Sequence, residues 1–140
     1  MNRCVKFYKK RYLKAFSLTE LLIVLAIIGI LILLALPKFL PLISKAKSTE
    51  AQIQLKHIYT LEKNHFYVHS KYSYDFVELG YEHPALVTDG GTANYKIEII
   101  DAGTNTFKIT ATAIVDFDGD GTFNLWEIDQ DMNLKEVIKD

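Results

Sequence analysis

One uncharged segment near the N-terminus restricts what this chain can fold into. The 17 residues from Leu21 to Pro37 carry no charge. As a helix they would be about 25 Å long, which is near the lower limit for crossing a bilayer. Glu20 stands directly before this run, and a carboxylate at membrane depth costs several kcal/mol unless a partner neutralises it. The segment therefore predicts one membrane-spanning helix, and Glu20 is interpreted as a functional residue.

The residues before this segment predict its orientation. Six of residues 1–15 are basic and none of these is acidic, so the positive-inside rule keeps the N-terminus in the cytoplasm. An ordinary secretory signal is an alternative, but its cleavage site would have to follow Pro37 and Pro41, where only Ser44-Lys45-Ala46 is similar to a small-x-small site. An uncleaved anchor is a further alternative, and it leaves Glu20 without an explanation. The basic residues are Arg3, Lys6, Lys9, Lys10, Arg11 and Lys14.

The segment from Ala15 to Pro37, AFSLTELLIVLAIIGILILLALP, resembles the N-terminal signature of type IV pilins and of the pseudopilins of type II secretion. The resemblance implies that a prepilin peptidase cleaves between Ala15 and Phe16, that Phe16 is then N-methylated, and that Glu20 acts in assembly. Ala15 stands where the family usually has Gly, and Thr19 stands where it usually has a large aliphatic residue. A small residue before the bond fits a peptidase that selects against bulk, so cleavage is expected.

Cleavage would change both the charge and the cysteine content. Ten basic and 17 acidic residues lie after position 15, which gives the processed chain a net charge of −7. This charge disfavours contact between the subunit and nucleic acid. The single cysteine, Cys4, lies in the leader, so the processed chain forms no disulfide and other contacts must fasten its C-terminal end. Weaker similarity to a disulfide-free group of type IV pilins, at residues 79–81 and 124–130, agrees with this.

Residues 42–70 predict the amphipathic half of a long helix. Apolar side chains recur at helical spacing, with Lys, Glu and Gln between them. The helix is expected to continue from the membrane segment and to run from Phe16 to near Val68. Pro37 and Pro41 each remove a backbone donor, which predicts a kink or local unwinding there. The apolar stripe consists of Ala46, Ala51, Leu55, Ile58, Leu61 and Phe66.

The remaining residues, 71–140, predict a loop followed by an antiparallel sheet. Residues 71–94 show no sustained period. Alternating apolar and polar residues then predict one hairpin from Tyr95 to Val115, with its turn at residues 101–105, and a second from Leu125 to Ile138. The fold class is therefore α+β, a pilin-like lollipop whose long helix packs on a small antiparallel sheet of three to four strands. The predicted parts are a leader (1–15), a transmembrane or filament-core helix (16–41), its amphipathic half (42–70) and a loop and sheet domain (71–140).

Residues 116–127, the acidic loop, match the D-x-D-x-D-G-x5-E pattern of calcium-binding loops at every specified position. Carboxylates and a backbone carbonyl are the hard oxygen ligands that calcium prefers, and Gly121 permits a sharp turn. The flanking residues predict strands rather than helices, which favours a structural ion over a regulatory one. The alternative is a solvated turn, since Asp-Gly pairs commonly form turns. The predicted ligands are Asp116, Asp118, Asp120, Thr122 through its carbonyl, and Glu127.

Two of the four histidines, His65 and His69, lie on one face of the predicted helix. The H-E-x-x-H pattern of zinc proteases fails because Phe66 stands in the position of the Glu. No third ligand is evident nearby in the sequence, which favours solvated or packed histidines over a metal site. The sequence also contains no nucleophile motif and no phosphate-binding loop framed by a strand and a helix. The protein is therefore not expected to be an enzyme.

These features together predict a structural protein of the membrane and cell surface. The expected function is a subunit of a type IV pilus-like filament, a helical homo-oligomer. The subunit would sit in the inner membrane as a single-pass protein, be processed by prepilin peptidase, and be assembled by an inner-membrane platform. Two alternatives stay open at this point. One is a pseudopilin of type II secretion, which forms a periplasmic pseudopilus, and the other is an uncleaved, membrane-anchored calcium-binding protein.

Overall fold

The computed structural model describes residues 16–140, and the basic leader lies outside the described residues. The protein has an α+β fold in which a long helix is followed by a loop and a four-stranded antiparallel sheet, as the sequence predicts. The loop holds two short helical pieces. The elements are α1 (Leu18–His69), α2 (Phe76–Leu79), a 3-10 helix (Val87–Asp89), β1 (Tyr95–Ala102), β2 (Phe107–Ala113), β3 (Leu125–Asp129) and β4 (Lys135–Ile138).

Helix α1 contains 52 residues. Its part from Leu18 to Leu36 has a mean hydropathy of 2.9, and none of it is buried. This part is long and apolar enough to cross a membrane. Helical backbone continues through Pro37 and Pro41, so the loss of two backbone donors does not unwind the helix. The chain divides into two compact units, with the boundary between Leu36 and Pro37.

The sheet is a meander in the order β1-β2-β3-β4. Ile109 of β2 pairs with Ile99 of β1 on one side and with Ile128 of β3 on the other. The register of the first hairpin shifts after Ile99, where two successive residues are exposed before Ala102 is buried again. Strand β1 therefore continues two residues into the segment predicted as a turn, because the irregularity restores the inward alternation and Ala102 can enter the core.

One apolar core joins α1 to the sheet within the unit that begins at Pro37. Leu55 and Ile58 of α1 and Ile109 of β2 are fully buried. The rings of Tyr59 on α1 and Phe107 on β2 lie with their centroids 5.8 Å apart. This packing confirms the predicted contact between the amphipathic half of the helix and the apolar face of the sheet.

One member of the predicted stripe, Ala46, is exposed, and Ser44 and Ser48 are buried near it instead. The Ser44 hydroxyl donates to the backbone oxygen of Asp140 at 2.6 Å, and the Ser48 hydroxyl donates to the carbonyl of Lys45 at 2.9 Å. Both hydroxyls are thus satisfied, as buried polar groups require. This end of the helix face holds the final residues of the chain through a hydrogen bond rather than through apolar contact.

A fully buried asparagine, Asn124, connects the first strand to the last. Its side-chain oxygen accepts from the hydroxyl of Tyr95 at 2.7 Å. Its amide nitrogen donates to the carboxylate of Glu136 at 2.7 Å and to the carbonyl of Ile138 at 3.1 Å. Asn124 therefore supplies contacts that fasten the C-terminal end without a disulfide.

Candidate functional site

The first candidate site is the start of the apolar helix. Ser17 directly precedes α1, and Glu20 lies in its first turn. The backbone N–H and the hydroxyl of Ser17 donate to Oε2 of Glu20 at 2.9 and 3.1 Å, and the N–H of Glu20 donates to the Ser17 hydroxyl at 3.2 Å. These reciprocal bonds form a capping box. Glu20 therefore has a local structural role in addition to its charge, and the Ser-x-x-Glu spacing is the signal that identifies it.

The charge of Glu20 is not neutralised within the described part of the chain. Both groups that donate to its carboxylate are neutral groups of Ser17, and none of the ion pairs among residues 16–140 includes Glu20. Phe16, Ser17 and Glu20 are all exposed. Ala15, on the other side of the predicted cleavage bond, lies outside the described residues. The carboxylate is thus held in position and open to a cation from another molecule.

The second candidate site is the acidic loop, where Asp116, Asp118 and Asp120 come together. One carboxylate oxygen from each of the three lies within 4.8 Å of the others. Asp116 accepts from the backbone N–H groups of Gly119 at 2.6 Å and Gly121 at 2.7 Å, and these bonds lower its pKa. Gly121 has a φ of 88°, a conformation that glycine adopts without strain. The loop thereby concentrates three oxygen donors at one place.

The two other predicted ligands are placed differently. Thr122 donates its N–H to Asp120 at 2.7 Å, so its backbone is part of the loop. Glu127 lies on β3, where its carboxylate contacts the ammonium groups of Lys135 at 2.6 Å and Lys108 at 3.6 Å. The bond to Lys135 holds the pKa of Glu127 below its ordinary value. Glu127 is therefore engaged with two lysines and is not among the three grouped carboxylates.

A residue far away in the sequence, Asp140, also reaches the acidic loop. One of its carboxylate oxygens accepts from the N–H of Phe117 at 3.1 Å, and the other is buried without a hydrogen-bond partner among residues 16–140. Burial raises the pKa of Asp140, and the charges of Asp118 and Asp116 raise it further. No local pattern identifies this contact, because it depends on how the residues after β4 return to the start of the loop.

Comparisons with known proteins give two matches, and one of them includes the start of the apolar helix. Residues 10–36 match the family described as the prokaryotic N-terminal methylation motif. Over 69 residues the chain is 44% identical to the type IV major pilin protein PilA of Myxococcus xanthus (strain DK1622), a match that covers 49% of this chain and 31% of that protein. The matched region thus spans about a third of the curated relative. The chain therefore carries an N-terminal methylation motif and is similar to a type IV major pilin over about half of its own length.

Proposed function

We propose that the protein is a structural subunit of a type IV pilus-like filament. The observation that carries this proposal is the exposed apolar helix with one carboxylate at its start. The part from Leu18 to Leu36 exposes large apolar side chains along its length. A surface of this kind is stable in a bilayer or against other apolar helices, and a bundle of the same helices from many copies provides the second environment.

The proposed route to the filament begins in the inner membrane. The subunit spans this membrane with its N-terminus in the cytoplasm, and prepilin peptidase cleaves between Ala15 and Phe16. The new amine of Phe16 is methylated and remains cationic. An assembly platform then moves the subunit into the filament. The methylation motif and the similarity to a major pilin support this route.

Within the filament, the carboxylate of Glu20 would neutralise the amine of Phe16 on a neighbouring copy. The structure supports this role because the Glu20 carboxylate is oriented by Ser17 yet has no cationic partner among residues 16–140. A charge pair in an apolar bundle is favourable only while both partners are present, and loss of one leaves the other uncompensated.

Two variants separate this charge role from the capping role. Glu20→Gln keeps a side-chain oxygen that can accept from the Ser17 N–H but removes the charge, whereas Glu20→Ala removes both. Charge pairing predicts that both variants insert and are cleaved but yield few filaments, measured as the sheared surface fraction relative to the membrane pool. Glu98→Gln, at an exposed position of β1, is the matched control and should assemble normally. Normal filament yield from Glu20→Gln would contradict the charge role.

A pseudopilin of a type II secretion system is the second candidate function, because it shares the N-terminal signature. The similarity to a major pilin favours the pilus. Deletion of the gene distinguishes the two. Loss of surface filaments with normal protein secretion supports the pilus, and retention of secreted proteins in the periplasm supports the pseudopilus.

We further propose a structural calcium ion in the acidic loop. The three grouped carboxylates of Asp116, Asp118 and Asp120 fit a hard cation, and the carbonyl of Thr122 is in the position that calcium loops use. Glu127 would have to leave its lysines to join them, so the proposal depends on the three aspartates. A bound cation would offset their mutual repulsion and stabilise the link between β2 and β3.

A further inference from the structure

The end of α1 and the short helix α2 bring two histidines and a glutamate together. His65 and His69 lie one turn apart on α1, and their ring centroids are 4.3 Å apart. Glu78 belongs to α2, and its Oε2 lies 3.9 Å from Nε2 of His65. These three residues and Lys71 line an open cleft of about 290 Å³. Glu78 is thus the third potential ligand that the sequence alone does not reveal.

One hydrogen bond of His65 defines which of its ring nitrogens carries the proton and which has a free lone pair. Nδ1 lies 2.9 Å from the carbonyl oxygen of Lys71. A carbonyl only accepts hydrogen bonds, so Nδ1 carries the proton and the neutral ring has its lone pair on Nε2. Nε2 and the carboxylate of Glu78 are then two acceptors that face each other. They lie 3.9 Å apart, and a metal ion placed between them could bind both.

Glu78 is also held in place by neighbouring groups. The hydroxyl of Ser73 donates to its Oε2 at 2.6 Å, and this hydroxyl in turn accepts from the N–H of Asp75 at 3.0 Å. The side chain of Asp75 caps α2 by accepting from the N–H of Val77 at 2.8 Å. Side chains that bind metals are typically held in orientation by further hydrogen bonds. The bond from Ser73 to Glu78 and the bond from the Nδ1–H of His65 are of this kind.

We propose that His65, His69 and Glu78 form a binding site for a divalent transition-metal ion of the zinc type. Two ligand atoms on a tetrahedral zinc ion lie about 3.4 Å apart. The observed 3.9 Å between His65 and Glu78 therefore closes with a small side-chain movement. His69 is exposed, and its ring, which is tilted by 34° against that of His65, has to turn toward Glu78 for the three ligands to converge.

The ligand set selects the metal class and the consequence of binding. Imidazole nitrogens favour zinc, nickel or copper over calcium, which prefers oxygen alone. This site is therefore distinct in chemistry from the acidic loop. An ion bound here would connect the end of α1 to α2 and fasten the loop between them. The exposed ammonium of Lys71 at the edge of the cleft opposes cation binding, so Lys71→Met should tighten it.

Isothermal titration of the purified full-length chain in detergent with zinc chloride tests the proposal. Millimolar calcium is kept in all solutions so that oxygen-only sites are occupied. We expect one zinc ion per chain at this site, and we expect His69→Ala and Glu78→Gln each to weaken its binding by at least about tenfold. His57→Ala is the matched control, because His57 is exposed on the same helix and does not line this cleft. It should bind zinc as the wild type does.

The fluorescence of Trp126 and the helical circular dichroism of each variant show whether the fold is retained. A folded His69→Ala variant that binds zinc as tightly as the wild type would overturn the proposal. So would the absence of any heat of zinc binding to the wild type.

Discussion

Replacement of Asn124 by Ala should destabilise the sheet by about 2–4 kcal/mol. Ala leaves the hydroxyl of Tyr95, a fully buried residue, without its acceptor. A buried polar group that loses its partner costs about 1–3 kcal/mol. The carbonyl of Ile138 also loses a donor, but Ile138 is 42% exposed, so water replaces part of that bond. The exposed carboxylate of Glu136 regains water and contributes little.

Urea unfolding of the full-length chain in detergent measures this loss. The signal is the fluorescence of Trp126, the single tryptophan, which lies on β3 beside Asn124. Asn133→Ala is the matched control, because the Asn133 amide also donates to a carboxylate, that of Asp129 at 2.9 Å, but is exposed. The control should change the free energy of unfolding by less than about 0.5 kcal/mol.

A double-mutant cycle with Tyr95→Phe then isolates the bond between the two side chains. Once the hydroxyl is absent, Asn124→Ala no longer orphans it, so the double variant should lose less than the sum of the two single losses. A loss below about 0.5 kcal/mol for Asn124→Ala, or strict additivity in the cycle, would refute the view that Asn124 fastens the C-terminal end.

Two further predictions concern carboxylates. The full-length chain should melt at a higher temperature in millimolar calcium than in chelator. Asp118→Ala should abolish this difference, whereas Glu127→Gln should preserve it. If the wild type melts at the same temperature in both solutions, the acidic loop is a solvated turn. Burial raises the pKa of the fully buried Glu62 above 4.5, so its contribution to stability is full below that pH and is lost as the pH rises through the folded-state pKa. Glu62→Gln should remove this decline, and stability curves with the same slope for both proteins would contradict the assignment.

Periodic features of the sequence predict the fold well because the spacing of buried residues depends only on the helix or strand in which they lie. The stripe of α1 and the alternation of β1 and β2 repeat within a few residues, and each matches the observed core except at Ala46. Ser44 and Ser48 are buried there because a hydroxyl can bond to a nearby backbone oxygen, and a count of apolar residues does not detect such bonds.

The sites depend on partners that are distant in the chain, and a local pattern does not contain them. The calcium-loop pattern includes Glu127, but strand register pairs Glu127 with Lys135 of β4. Asp140, which follows β4 in the chain, accepts a hydrogen bond from the N–H of Phe117 in the same loop. His65 gains Glu78 as a neighbour only because the loop after α1 folds back. In each case the residue type is visible in the sequence, and its partner is determined by tertiary structure.

The most direct test of the central claim is mass spectrometry of filaments sheared from cells that express this chain. We expect the filaments to contain the chain, and we expect its N-terminal peptide to begin at N-methylated Phe16. Recovery of the chain only from membranes, with the leader still attached from Met1, in cells with an active prepilin peptidase would contradict it.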